Sequence, residues 1–136
     1  MANEATITTL LGKYGNPVEY TVADGTAIPK GSLMVMDSSP QTAKISAAAG
    51  DFFVGIANSE KKANDGKTKM AVITKCIAEI TTKGGGSAVL GAPVHIDGVN
   101  LVDVATDDTC AGATLVVAQS LETLGASVKG AMFVNV

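Results

Sequence analysis

Arginine and tryptophan are absent from this chain, and histidine occurs once, at His95. Each absence removes a class of function. General acid–base catalysis draws most often on histidine or on a carboxylate tuned by its pocket. A single histidine among scattered carboxylates gives that chemistry little to work with. No nucleophile elbow, HExxH helix, Walker A loop or GxGxxG turn is present either. The expectation is a protein that is not an enzyme. Without arginine there are no bidentate contacts to phosphate or guanine. The ten lysines are dispersed apart from Lys61, Lys62, Lys67 and Lys69, and the net charge is −3. Nucleic-acid binding needs clustered positive charge and stacking platforms. Aromatics make up only 4% of the residues, so a nucleic-acid partner is excluded.

Long apolar runs are also missing. No stretch of 18 apolar residues exists to span a bilayer, so no membrane partner is expected. The opening Met-Ala-Asn-Glu-Ala-Thr has neither the basic nor the apolar region of a signal peptide. The two cysteines, Cys76 and Cys110, have no metal-knuckle or CxxC spacing. Buried free thiols acting as small hydrophobes are expected. A disulfide would require the fold to bring the two together.

Two patches of chemistry-bearing residues remain. His95-Ile96-Asp97 puts an imidazole and a carboxylate on one face of a strand. With no second histidine or ligand nearby, it reads as an exposed histidine beside a turn. Asp103, Asp107 and Asp108 do not match an EF-hand loop. His95-Ile96-Asp97-Gly98 is only superficially like the catalytic strand of the trimeric dUTPases, and Tyr14 and Tyr20 lie far upstream of it. No cofactor and no metal are expected, and no catalytic residue is assigned.

What the chain does contain is Val, Ile, Thr, Ala and 15 glycines. One domain of 136 residues can bury a core without staples. Charged residues are 17% of the chain against a usual quarter or so. Low charge with much apolar surface predicts that another chain covers part of it. Strand signatures fall at Val18–Ala23, Ser32–Asp37, Thr42–Ser46, Phe52–Ala57, Val94–Ile96, Val99–Val104, Leu115–Ala118 and Val128–Val136. The longest strand is expected over Met70–Thr82. Turns fall at Asp24-Gly25, Ile28-Pro29-Lys30-Gly31, Asn64-Asp65-Gly66 and Asp97-Gly98. Lys61–Lys69 reads as a solvated loop, Gly84–Gly86 as a flexible linker, and no internal repeat is evident. Short strands at this spacing predict an all-β fold, a small β-barrel or sandwich. Residues 1–13 form an N-terminal arm or first strand, and residues 14–136 form the barrel domain.

The order of these motifs resembles the capsid cement, or head decoration, proteins of tailed viruses. Tyr20-Thr21-Val22-Ala23 leads to Gly31-Ser32-Leu33-Met34-Val35. Gly50-Asp51-Phe52-Phe53-Val54-Gly55-Ile56-Ala57 follows, then Met70–Ile80, the step Gly91-Ala92-Pro93-Val94, and Ser120-Leu121-Glu122-Thr123-Leu124 before the last strand. The likeness covers about residues 18–136. The Lys61–Lys69 loop and the Gly84–Gly86 segment depart from the family pattern. The resemblance implies a virion structural protein, commonly a homotrimer, on the outer surface of an icosahedral capsid. There it bridges subunits of the major capsid protein and resists internal pressure. Thr6, Ile7, Thr8, Thr9, Leu10 and Leu11 are then candidate capsid-binding residues, because an extended arm adds a strand to a sheet edge. Equally, the same residues form the first strand of the chain's own barrel. The alternatives are a tail-tube or spike component of a virion, or a small-ligand-binding β-module.

Overall fold

In the computed structural model, which describes residues 3–48, 51–104 and 116–136, the described chain contains strands and turns but no helix. Eleven strands run β1 (Thr6–Leu10), β2 (Val18–Thr21), β3 (Leu33–Met36), β4 (Ala43–Ile45), β5 (Phe53–Ala57), β6 (Lys69–Ile73), β7 (Lys75–Thr82), β8 (Pro93–Ile96), β9 (Leu101–Val104), β10 (Val116–Ser120) and β11 (Lys129–Asn135). The fold is all-β, a small barrel joined to a second sheet, as the strand and turn spacing predicts. One sheet has the order β1-β7-β11-β10-β8-β9, and β9 returns to pair in parallel with β7. β7 to β11 thereby close into a five-stranded barrel, with β1 added on the outside of β7. The second sheet has the order β2-β6-β5-β3-β4, and its two edge strands meet at a single parallel bridge, Thr21 to Thr42.

These two units have the same topology. In each, the first strand pairs with the fifth, the fifth with the fourth, the fourth with the second and the second with the third, all antiparallel. In each, the third strand closes in parallel on the first. Register agrees as well. Tyr20 faces Met70 as Ile80 faces Gly130, and Met34 faces Gly55 as Val94 faces Ala118. The bulge beside Met34 and Val35 recurs beside Val116 and Ala118. The reciprocal backbone bonds of Ile28 with Lys61 recur between Ala88 and Leu124. The expectation of no internal repeat is therefore overturned: residues 18–73 and 78–133 are two copies of one unit. Few side chains match. Glu19 and Glu79, Thr21 and Thr81, Gly31 and Gly91, Asp37 and Asp97, and Lys69 and Lys129 are the same residue at matching positions.

The strand expected over Met70–Thr82 is two strands in two sheets. They part at Thr74, where the N–H groups of Thr74 and Lys75 both donate to Gly15 O, at 3.0 and 3.1 Å. Thr74 Oγ1 donates to Asn16 O at 2.7 Å. A bend held by three such bonds cannot stay in one ladder. The Gly84–Gly86 segment, expected as a linker, is a hydrogen-bonded turn with Gly84 and Gly85 exposed and Gly86 buried. Gly86 N–H donates to Lys83 O, and Ser87 N–H donates to Asp103 Oδ1.

The core follows from the repeat. β5 is buried on both faces. Val54 and Ala57 join Met34, Met70 and Val72 inside the first unit. Phe53 and Ile56 join Leu33, Val35 and Ile73 in a cluster continuous with the interior of the second unit, including Ile80, Val94 and Met132. A buried amide ties the units together: Asn100 Oδ1 accepts from Leu33 N–H, and Asn100 N–H donates to Ser46 Oγ, both at 2.9 Å. Asn100 therefore lies in the turn before β9, with φ 58°, and the expected strand start at Val99 moves to Leu101.

Candidate functional site

Thr6, Ile7, Thr8, Thr9 and Leu10 all lie on β1, and Leu11 follows directly with its N–H on Lys75 O. β1 pairs with one side of β7, Thr6 opposite Glu79 and Leu10 opposite Cys76. Thr8 is the extra residue of a bulge, and its Oγ1 donates to Ile77 O at 2.9 Å. The strand begins with two anchors. Ala5 N–H donates to Gly31 O at 2.8 Å. Lys129 Nζ donates to Glu4 O at 3.0 Å and to Thr6 Oγ1 at 2.7 Å. Ala5 is buried in the core and Ile7 packs against it, while Thr6, Thr8, Thr9 and Leu10 are exposed.

β1 ends its sheet, so among the described residues no strand lies beside its second edge. Alternate backbone N–H and C=O groups of such an edge point away from the ladder, ready to pair with another chain. A groove of ≈ 480 Å³ runs along it, walled by Ala5–Leu10 on one side and by Lys30, Gly31 and Asn58 on the other. β1 alone was visible as a sequence pattern; its opposite wall was not. Lys30 and Asn58 come from two separate loops, and the Ala5–Gly31 bond joins the first of them to the start of the strand. The returning chain turns sharply, with Tyr14 and Asn16 at φ 54° and 47°. Tyr14 is left exposed in this turn.

Charged groups elsewhere form two small clusters. Lys61, in the loop expected to be solvated, is buried. Its ammonium donates to Asp24 O at 2.7 Å, Lys62 O at 3.0 Å and Thr26 O at 3.3 Å, and lies 3.3 Å from Asp65 and 3.6 Å from Asp24. A buried lysine survives only with such partners. The Lys67 N–H on Asp65, followed by the Lys61 ammonium, holds the Asp65 carboxyl below its usual range against the opposing effect of burial. In the second unit Lys83 Nζ sits 2.5 Å from Asp97 and 3.6 Å from Asp103, and the Asp97 hydrogen bond raises its pKa.

His95 is 2% exposed, not exposed as the sequence suggested. Its Nδ1 is 3.2 Å from Asp103 O, and its Nε2 has no hydrogen-bond partner among the described residues. His95 and Asp97 do not meet: Asp97 is engaged by Lys83. Among the described residues no three His, Cys, Asp or Glu side chains converge as a metal site would require. Cys76 is a buried free thiol, and burial pushes its pKa up to about 11. Cys110, Asp107 and Asp108 lie outside the described residues. Among the described residues no helix is long and apolar enough to cross a membrane.

No family model matches the chain, and no curated protein matches it.

Proposed function

We propose that this chain is a capsid decoration protein, a structural protein of the virion. It sits on the outer surface of an icosahedral shell as a homotrimer and bridges subunits of the major capsid protein. It carries out no catalysis and binds no nucleic acid. The observation that supports this reading best is the open edge of β1 over its groove. An exposed edge strand is a hazard that proteins blunt with charge, proline or a covering loop. β1, Thr-Ile-Thr-Thr-Leu, carries no charge and no proline, and the bulge at Thr8 is the one edge-blunting device within the strand. An edge left so is suited to strand addition by a partner, with backbone bonds for affinity and alternate side chains for fit. Many copies on one lattice multiply modest contacts.

The test is binding to shells assembled without this protein, followed by co-sedimentation. Thr9→Lys with Leu10→Lys places two charges on the open strand, at exposed positions where surface substitutions shift stability by about 0.5 kcal/mol or less. Shell binding is expected to weaken at least tenfold, on the order of 1.4 kcal/mol. Shells carrying the wild-type protein are expected to survive heating that bursts bare ones. Undiminished binding by the double variant would remove β1 from the contact.

A further inference from the structure

The two units each carry the same tight turn, and among the described residues only one of the two is crossed by another backbone segment. Gly31 and Gly91 have φ 89° and 80°. Their N–H groups donate to Ala57 O and Ser120 O, at 3.0 and 2.8 Å. At Gly31 the chain's own N-terminal segment crosses the turn, with Ala5 N–H on Gly31 O. It lies so close that a methyl group on Gly31 would stand 2.2 Å from Ala5 O. At Gly91 no atom of the described residues lies within 4 Å of the same position. The Gly91 carbonyl takes instead the Nε2 of exposed Gln119, at 2.8 Å.

The walls differ in the same sense. Pro29, Lys30 and Asn58 flank the filled seat, and Val89, Leu90 and Leu121 stand at the matching places of the other. Those three are 50%, 64% and 42% exposed. Exposed apolar side chains gathered around one turn mark a contact surface.

We propose that the Gly91 turn is a docking seat for an extended, uncharged segment of the shell subunit. That segment presents a backbone N–H to Gly91 O and an apolar side chain to Val89, Leu90 and Leu121. The proposal rests on the shell-binding reading and names a second contact for it, separate from the β1 groove. The twin turn fixes the kind of occupant, because what fills it is an extended segment making that same bond. Gln119 yields the carbonyl at little cost, since its amide is exposed and water can take its place. A second copy of the chain is disfavoured as the source. Its only matching segment among the described residues, Glu4–Leu10, is already tied to Gly31, β7 and Lys129.

Two measurements test this. In the first, Leu90→Asp with Leu121→Asp is compared with wild type for binding to bare shells, beside the β1 variant. At least tenfold weaker binding at an unchanged unfolding midpoint supports the seat. Wild-type binding by this variant overturns the seat and leaves the shell reading standing. No binding by wild type overturns both. The second measurement covers a variant that fails to fold. Leu90→Cys, in a background with Cys110→Ser, carries a photoreactive maleimide and is irradiated on the shell. A crosslink to the shell subunit is the expected result. A crosslink to another copy, or none, overturns the proposal.

Discussion

The first unit, residues 18–73, and the second, residues 78–133, share one backbone and divide the side chains differently. In the first, Leu33, Val35 and Ile56 face the second unit and are buried. Pro93, His95 and Gln119 hold the matching places, and Pro93 and Gln119 face solvent. The first unit centres its long loop on a buried cation, Lys61, where the second has Leu124. The first leaves its parallel seam at one bridge, while the second extends it to Thr82 and Val102 and ties the adjacent turn with Lys83. What the repeat preserves is the set of positions with backbone constraints: turn glycines, a bulge and ladder ends. What it exchanges is whatever burial and partner dictate. One backbone therefore serves as an inner unit that packs on its twin and an outer unit whose Pro93 and Gln119, at the matching places, face solvent.

Exchanging residues between matching positions tests this division. The largest effect is expected at the buried cation. Lys61→Leu leaves three carbonyls and two carboxylates without their partner and should cost about 3–5 kcal/mol. Leu124→Lys should cost as much, because Gly84 stands where the first unit has Asp24. Urea unfolding of both variants measures this; a mild loss in either would mean that the two loops are interchangeable. Next is the face between the units. Ile56→Ala should cost about 3 kcal/mol through lost burial and a cavity. Gln119→Ala, at the matching place, should stay within about 0.5 kcal/mol. Equal effects would contradict the inner and outer assignment. Smaller again is the amide clamp. Asn100→Ala strands the Leu33 N–H and should cost about 2 kcal/mol, whereas its exposed counterpart Gln41→Ala should be near neutral.

The sequence showed the strands well because short Val- and Ile-rich runs between turn residues have few alternatives. Phe52–Ala57, Thr42–Ser46 and Val128–Val136 all appear as strands within a residue or two. It hid the repeat for a physical reason. Ladder partners constrain shape rather than identity, so Met70 answers to Gly130 and Ile56 to Gln119 without a visible match. Lys61 looked solvated because its acceptors are mostly main-chain carbonyls, which every residue carries. His95 looked exposed because nothing in its neighbours' identity reports what covers it. β1 was legible as an extended segment. Its groove was not, since Lys30 and Asn58 come to its opposite wall from two separate loops.

Proton linkage gives the smallest and most selective probe, because the two ionic clusters respond at opposite ends of the pH scale. Asp65 has a lowered pKa in the folded first unit, from an ordinary 3.8. Its contribution is present above that value and is lost as pH falls through the folded pKa. Lys83 has a raised pKa in the second unit, from an ordinary 10.5. Its contribution is present below that value and is lost as pH rises through the folded pKa. Both groups are solvent-accessible, so both effects are modest. Cys76 complicates the alkaline side: its thiol is raised from 9.0 to about 11, so the unfolded chain ionises first and stability falls across that interval. The measurement is therefore made in a Cys76→Ala background, with urea midpoints at pH 3, 7 and 11. Asp65→Asn should flatten the acid fall and leave the alkaline side alone, and Lys83→Met should do the reverse. If either substitution flattened both ends, the clusters would be coupled through the core, and the two units would share their electrostatics as well as their backbone.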